Sequence, residues 1–319
     1  MRRAGAAILG IGMLMAACNP KKDVHQIGEF IPENDRFWQV VPREAVLERI
    51  GIAFDFTEGP AWHADGFLIF SDIPGNTIYR WTEKKFVVFR SPSNHANGLL
   101  AEPDGSVLAC EHESRSLTRY SPQGEASVLA DNYKGRRLNS PNDLCKSSTG
   151  SIYFTDPPWG LEQRNEDPLK ELPYNGVYHY RNGRLSLIDS TLSWPNGVAL
   201  SPDERYLYVA NMEILRVNGE DQYQVHWMRY TLDEQGEVLE KSIFFTALDT
   251  SLPGGPDGMK VDQQGNLFLS GPGGILVVDS VGMHLGTIGI PIPATNLAFG
   301  PREKELFITA RSTVYKLQL

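Results

Sequence analysis

The stretch from Ser193 to Asp203, SWPNGVALSPD, carries a turn-like triplet at each end of one short apolar run. Ser201-Pro202-Asp203 closes the run from Gly197 to Leu200, yet Pro195-Asn196-Gly197 opens it with residues that would themselves pass for a turn. Laid over the rest of the chain, the same grammar recurs six times: a polar residue, a short apolar run, a turn, and a second strand ending in a small or polar residue. The turns are HADG (63–66), EPDG (102–105), SSTG (147–150), SPDE (201–204), DQQG (262–265) and PREK (301–304). The strands after them are FLIFSD, SVLACEH, SIYFTD, YLYVAN, NLFLSG and ELFITA. From Glu58 to Asp72, Asn142 to Asp156, Asp257 to Gly271 and Asn296 to Ala310 is 14 residues, and from Asn97 to His112 and Asn196 to Asn211 is 15. A period this constant marks a repeat architecture.

Each unit then offers a third strand (TIYRWT, SLTRYS, GVYHYR, VHWMRYT, GILVVD, STVYKL), and five of the six a fourth (FVVFRS, ASVLAD, RLSLID, SIFFTAL, HLGTIGI). Four antiparallel strands per unit, repeated radially, make a β-propeller, so the expected fold is all-β with six blades. The sixth unit reaches Leu319 before its fourth strand. AVLERIGI, Ala45 to Ile52, is expected to supply that strand, closing the ring and hiding an exposed edge. Residues 45–319 therefore read as one domain. Composition agrees, with 30 Gly, 21 Pro, 41% hydrophobic residues and no long segment of 3.6-residue period. A net charge of -9, without a Lys/Arg cluster, excludes nucleic acid as a partner.

The N-terminus, MRRAGAAILGIGMLMAACNPKK, sets two arginines before a charge-free apolar stretch from Ala4 to Ala17. That stretch is short for a bilayer span and has the layout of a secretory signal peptide, residues 1–17. MAAC, Met15 to Cys18, resembles a bacterial lipoprotein signal. The resemblance implies cleavage before Cys18, lipidation of its sulfur and a membrane-anchored body, with ordinary cleavage nearby as the alternative. Asn19 is not the Asp that signals inner-membrane retention in such proteins, which implies the periplasmic side of the outer membrane. Residues 18–44 show no clear periodicity and read as a lipidated tether. Cys110 and Cys145 lie in apolar runs. A disulfide is permitted in an oxidising compartment, but two small buried hydrophobes are favoured, because a chain this size has core enough without a staple.

The six strand openers are Glu58, Asn97, Asn142, Asn196, Asp257 and Asn296, and all carry a side-chain oxygen. Asn-Gly and Asp-Gly often mark hairpins. Here, however, Pro103-Asp104-Gly105 is a turn lying after its strand, whereas Pro195-Asn196-Gly197 and Pro256-Asp257-Gly258 lie before theirs. In a propeller the innermost strands start at one face beside the axis, so the openers converge on one mouth. Oxygen crowded against oxygen, two of the groups carboxylates, is costly unless a cation sits between them. An all-oxygen set suits a hard ion, Ca²⁺ best, with Mg²⁺ less suited to so flexible a set.

FTEGPAW, RLNSPNDL, SIYFTDPPWG, WPNGVALSPD and PDGMKVD resemble the motifs of the SMP-30/gluconolactonase family, over residues 45–319. The resemblance implies a calcium-dependent lactonase whose metal ligands are Glu58, Asn142, Asn196 and Asp257, with Asn142 in some members serving substrate instead of metal, and in which Zn²⁺, Mn²⁺ or Mg²⁺ can replace Ca²⁺. Two positions depart from the pattern. Ser140 stands where the animal branch has a sugar-holding Arg, and Gly258 follows Asp257 where some relatives have a polar residue, so substrate identity does not carry over.

An ion with an open position can polarise a lactone or ester carbonyl, and Asp257 is placed to activate or steer the attacking water. His112 is a second candidate base. Strand ends and their loops add Asp72, Glu111, His112, Asp156 and Trp159 to the expected substrate pocket. The acid-rich insertion from Gly160 to Pro173 reads either as a lid or as a solvated loop. Three functions fit: hydrolysis of a small-molecule lactone or ester, a sugar lactone first among them; phosphotriester hydrolysis with the same ion; or a non-catalytic ligand-binding propeller.

Overall fold

Runs such as FLIF, LFL and LFI are apolar at every position rather than at alternate ones, which in a strand means that both faces are buried. The computed structural model describes residues 28–82, 85–217, 220–247 and 249–319, and there the double burial has a simple cause. In the strand Phe67–Asp72, Phe67 and Ile69 join the core shared with the following blade, while Leu68 and Phe70 join the core shared with the last one. The six hydrophobic clusters each fill one blade-to-blade interface. The layers of this fold are therefore blades stacked around a ring.

The first blade comprises Thr57–His63, Phe67–Asp72, Thr77–Thr82 and Lys85–Arg90, and the second Ala96–Ala101, Val107–Glu111, Ser116–Tyr120 and Ala126–Ala130. The third is Leu144–Lys146, Ile152–Asp156, Gly176–Arg181 and Arg184–Asp189; the fourth is Pro195–Leu200, Tyr206–Val217, Glu220–Leu232 and Val238–Thr246. The fifth contains Met259–Val261, Leu267–Gly271, Gly274–Val278 and His284–Gly289. The sixth contains Asn296–Phe299, Glu305–Ala310 and Thr313–Gln318, and its outer strand is Leu47–Ile52, antiparallel to Thr313–Gln318. The first chain segment thus closes the ring beside the last, as the missing fourth strand requires. Cys110 and Cys145 are free thiols.

Two features differ from expectation. In the fourth blade the second and third strands run on past Asn211 and pair from Met212↔Val225 to Val217↔Glu220, so a two-stranded ribbon extends beyond the mouth-side end of the blade. The other concerns the expected tether. Residues 1–27, with the expected signal peptide and Cys18, lie outside the described residues, but from Gly28 onward the segment is packed. Glu29–Pro32 pairs with His284–Gly289 as a fifth strand of the fifth blade, with Pro32 at the free edge where a missing N–H is harmless. Phe37 and Val41 are fully buried between the fifth and sixth blades. Anchoring here is by isolated large side chains, which leave no periodic trace.

Ring closure depends on how near the innermost strands can approach. The residue after four of the openers is Gly59, Gly98, Gly197 and Gly258, and a Cβ there would lie 2.0 Å from Asn97 O, 2.6 Å from Asn142 O, 2.2 Å from Asp257 O and 2.1 Å from the Asn296 side chain. Each glycine abuts the next opener around the ring. Gly98 N donates to Asn142 O at 2.8 Å and Gly197 N to Asp257 O at 3.1 Å. The Asn-Gly and Asp-Gly pairs are therefore points of close backbone approach, with only Gly59 at positive φ (50°). Gly197→Ala should destabilise the fold by about 1–3 kcal/mol, as overpacking does. Denaturant unfolding of the variant checks this, and wild-type stability would show that the fourth and fifth blades do not meet there.

Candidate active site

The close-approach glycines bring the openers to one mouth around the axis. Glu58 is 4% exposed, Asn142 5% and Asn296 2%; Asn196 and Asp257 are partly exposed. Their backbones are fixed from behind by a row of buried hydroxyls, one residue before the ends of the second strands. Ser71 Oγ donates to Asn97 O at 2.8 Å, Thr155 Oγ1 to Asn196 O at 2.6 Å and Ser270 Oγ to Gly258 O at 2.9 Å. The Ser or Thr in FLIFSD, SIYFTD, NLFLSG and ELFITA is the sequence trace of this row.

Glu58 and Asp257 are side-chain neighbours. Burial, reinforced by Asp143, pushes the Glu58 carboxyl up to about 7. Burial first, then Glu58 and Asp143, hold Asp257 well above the ordinary carboxylate range, while a hydrogen bond from Asn196 works the other way. Glu58 Oε2 accepts from Gly59 N at 2.7 Å and from Asn296 Nδ2 at 3.1 Å. Asn296 thereby serves as a support for Glu58.

Asp143 was not among the expected site residues. It is 2% exposed, and its oxygens accept from Leu144 N at 2.9 Å and from Val198 N of the next blade at 3.3 Å. It stands where other units have the close-approach glycine, so its side chain bridges the third and fourth blades. Burial raises its pKa, and the positive charge of Lys260 acts against that rise on both Asp143 and Glu58. Three carboxylates thus share the axis with one nearby lysine.

A divalent cation fits this donor set. Asp143 raises the proton affinity of Glu58, and both raise that of Asp257, as like charges do when only partly offset, and Asn97 Oδ1 is buried without a partner. Among the described residues no three His, Cys, Asp or Glu side chains form a metal-holding group. An ion here needs amide oxygens beside Glu58 and Asp257, which is the set Asn142 and Asn196 complete.

The strand-end residues divide. Asp72 accepts from Asp55 N at 3.1 Å and Phe56 N at 3.0 Å, fixing the approach to the first blade. Glu111 accepts from Asn94, Ser114, Ser116, Thr118 and Tyr120, so protein donors surround it. Asp156 is fully buried; its Oδ2 accepts from Asn139 N at 2.8 Å while its Oδ1 has no partner, and burial raises its pKa well above the usual carboxylate range. Asp72 and Glu111 are occupied within the framework, and Asp156 is occupied through one oxygen only. His112 and Trp159 remain at the mouth. His112 Nε2 lies 3.3 Å from Asn97 Nδ2, and burial, with the charges of His95 and Arg164, pulls its pKa down to about 4. It is therefore neutral at pH 7 and accepts from the Asn97 amide. Trp159 packs on Trp194, with ring centroids 4.4 Å apart.

The insertion from Gly160 to Pro173 is fastened. Arg115 Nη1 donates to Leu169 O at 2.8 Å, Arg137 N to Glu171 Oε2 at 2.7 Å and Asn175 Nδ2 to Asn165 Oδ1 at 3.2 Å, while Leu161 and Leu172 are buried. It forms a wall beside the mouth.

Comparison with known proteins places this geometry. The SMP-30/Gluconolactonase/LRE-like region matches residues 56–312. A gluconolactonase of Zymomonas mobilis is 39% identical over 318 residues, covering 92% of this chain and 86% of that protein. A solved Xanthomonas campestris structure, described as a gluconolactonase important in glucose secondary metabolic pathways, superposes with a TM-score of 0.78 at 31% identity, covering 93% of this chain and 99% of that one. A solved structure described as a putative gluconolactonase gives a TM-score of 0.79 at 30% identity, covering 91% and 97%.

The raised carboxylates have a measurable consequence. Glu58 ordinarily titrates at 4.5 and here at about 7, so the folded chain binds the extra proton. That contribution is fully present below about pH 4.5 and is lost as pH rises through about 7. His112, His179, His226 and His284, all lowered by burial, contribute with the opposite sign. Comparison with Glu58→Gln cancels them. In chelator, the variant should gain on the wild type by a few kcal/mol between pH 5 and 8, at about 1.4 kcal/mol per tenfold change in proton affinity. Urea unfolding across that range measures it, and a pH-independent difference would show that Glu58 is not buried beside other carboxylates.

Proposed function

The chain belongs to the SMP-30/gluconolactonase/LRE-like family, and on that premise we propose that it is a Ca²⁺-dependent hydrolase that opens the ring of a sugar lactone. The observation that carries this reading is the mouth itself, where Glu58 and Asp257 meet beside Asn196 and Asn142 on a rigid ring. The gluconolactonase relatives support lactone as the substrate class. Glu58, Asn142, Asn196 and Asp257 are the residues that would hold the ion. When bound, a divalent cation supplies Lewis acidity, polarising the lactone carbonyl and balancing the charge that develops on its oxygen.

The remaining work falls to the chain. Asp257 takes the proton of the attacking water as the new C–O bond forms, and returns it to the ring oxygen as the ring C–O bond breaks, leaving a hydroxy acid. Its position at the mouth, beside Glu58 and Asn196, suits that task. His112 is poorly suited, because a group with a pKa of about 4 is a weak base at neutral pH and its Nε2 already faces Asn97. Asn196, hydrogen-bonded to Asp257, orients the carboxylate, and Asn142 offers its amide to the substrate.

Asp257→Asn keeps an oxygen at the site but removes charge and basicity. Turnover of D-glucono-1,5-lactone should stay depressed by roughly 10²- to 10⁴-fold even at saturating calcium, as for loss of a general base. Full rescue by calcium would make Asp257 a ligand only. The wild type should be assayed against sugar lactones, acyl lactones and a phosphotriester in one panel. Activity confined to the phosphotriester would overturn the lactonase reading.

We further propose that the mature chain is a lipoprotein anchored through Cys18 on the periplasmic side of the outer membrane, on the strength of MAAC. Cys18→Ser should shift the protein from the membrane to the soluble fraction. A wild type that is already soluble would refute the anchor.

A further inference from the structure

Trp194 and Arg164 entered none of the expectations drawn from the sequence, and both stand at the mouth. Trp194 immediately precedes the strand Pro195–Leu200, whose opener is Asn196, and Trp159 follows closely on the mouth-side end of Ile152–Asp156. Their indoles, each partly exposed, lie 4.4 Å apart with planes inclined at 31°. The guanidinium of exposed Arg164 lies 5.7 Å from the Trp159 ring.

Both tryptophans are held from behind. Trp194 N donates to Asn211 Oδ1 at 2.9 Å; the preceding Ser193 accepts from Asn175 Nδ2 at 2.6 Å through its carbonyl and donates to Glu213 Oε1 at 2.6 Å through its hydroxyl. On the other side, Ser140 Oγ donates to Pro157 O at 2.6 Å and accepts from Gly160 N at 2.8 Å, tying down both ends of the Pro157–Gly160 loop. A Cβ on Gly160 would lie 2.6 Å from His112 Cβ, which sets this loop directly over His112. A shelf fixed in this way loses little freedom when a ligand covers it.

We propose that Trp159, Trp194 and Arg164 form the shelf on which the ring of a polyhydroxylated lactone stacks, so that these residues select sugar lactones over small unsubstituted ones. The proposal deepens the lactonase reading and rests on it. A sugar ring has a C–H face and a hydroxyl edge. Indole faces match the first, and the guanidinium donors of Arg164 together with the amide and carboxylate groups of the mouth match the second. An unsubstituted lactone brings neither the breadth nor the hydroxyls.

The test is the partition between KM and kcat for two substrates, D-glucono-1,5-lactone and γ-butyrolactone. Trp159→Ala and Trp194→Ala should each raise KM for the sugar lactone about tenfold, with kcat kept and the butyrolactone constants changed no more than about twofold. Trp159→Phe, which keeps an aromatic face, should stay near wild type. Equal changes for both substrates, or a fall in kcat alone, would overturn the shelf. If the wild type hydrolyses neither lactone, the lactonase reading fails by itself, and titration of the intrinsic fluorescence with D-gluconate judges the shelf. A saturable change that disappears in the Trp159→Phe/Trp194→Phe double variant upholds it, and no change refutes it.

Discussion

Everything at the mouth follows from the contact between one blade's glycine and the next blade's opener. The Gly197 and Gly258 positions lie so near Asp257 O and the Asn296 side chain that a single added carbon would occupy the same space. Because no side chain separates them, the inner strands meet edge to edge around the axis, and the polar residue beside each glycine has nowhere to point but into the mouth. The ring and the site are thus built by the same residues. Two openers lack the glycine, being followed by Asp143 and Leu297, and at Asp143 the side chain is used instead, reaching across to Val198 N at 3.3 Å.

That closeness has an electrostatic cost that the fold leaves partly uncorrected. Burial raises the proton affinity of Glu58, Asp143 and Asp257 alike; Asp143 raises that of Glu58 further, both raise that of Asp257, and Lys260 works against the rise on Glu58 and Asp143. Burying carboxylates side by side is unfavourable for a purely structural element, and it is common where charge is to be handled during a reaction. The hydroxyls of Ser71, Thr155 and Ser270 keep the backbones in place against that repulsion.

The periphery serves the same end by making the ring rigid. Each blade interface has its own hydrophobic cluster, so the inner strands cannot separate without opening a core. The cluster between the fifth and sixth blades is completed by Phe37 and Val41 from the N-terminal segment. The insertion beside the third blade, pinned through Arg115 and Arg137, adds a fixed wall that carries Arg164 to the mouth.

The sequence by itself determined the number of blades, the order of their strands, the closing segment and the identity of the openers. All of these rest on short-range spacing: a strand, a turn and a strand occupy a constant 14 or 15 residues whatever the rest of the chain does. The tertiary structure alone decided which polar groups face the axis free and which are consumed by partners. Asn296 reaches Glu58 across 238 residues, and Thr57 Oγ1 reaches Arg311 O across 254. Asp72, Glu111 and Asp156 look equivalent to the openers in sequence, yet Asp72 and Asp156 accept from the segments that lead into their own blades and Glu111 from the strand beside it, Ser116–Tyr120. Asp143 and Trp194 escaped notice for the same reason. A side chain's role in a ring is fixed by its neighbours across the interface, and those neighbours exist only once the ring has closed.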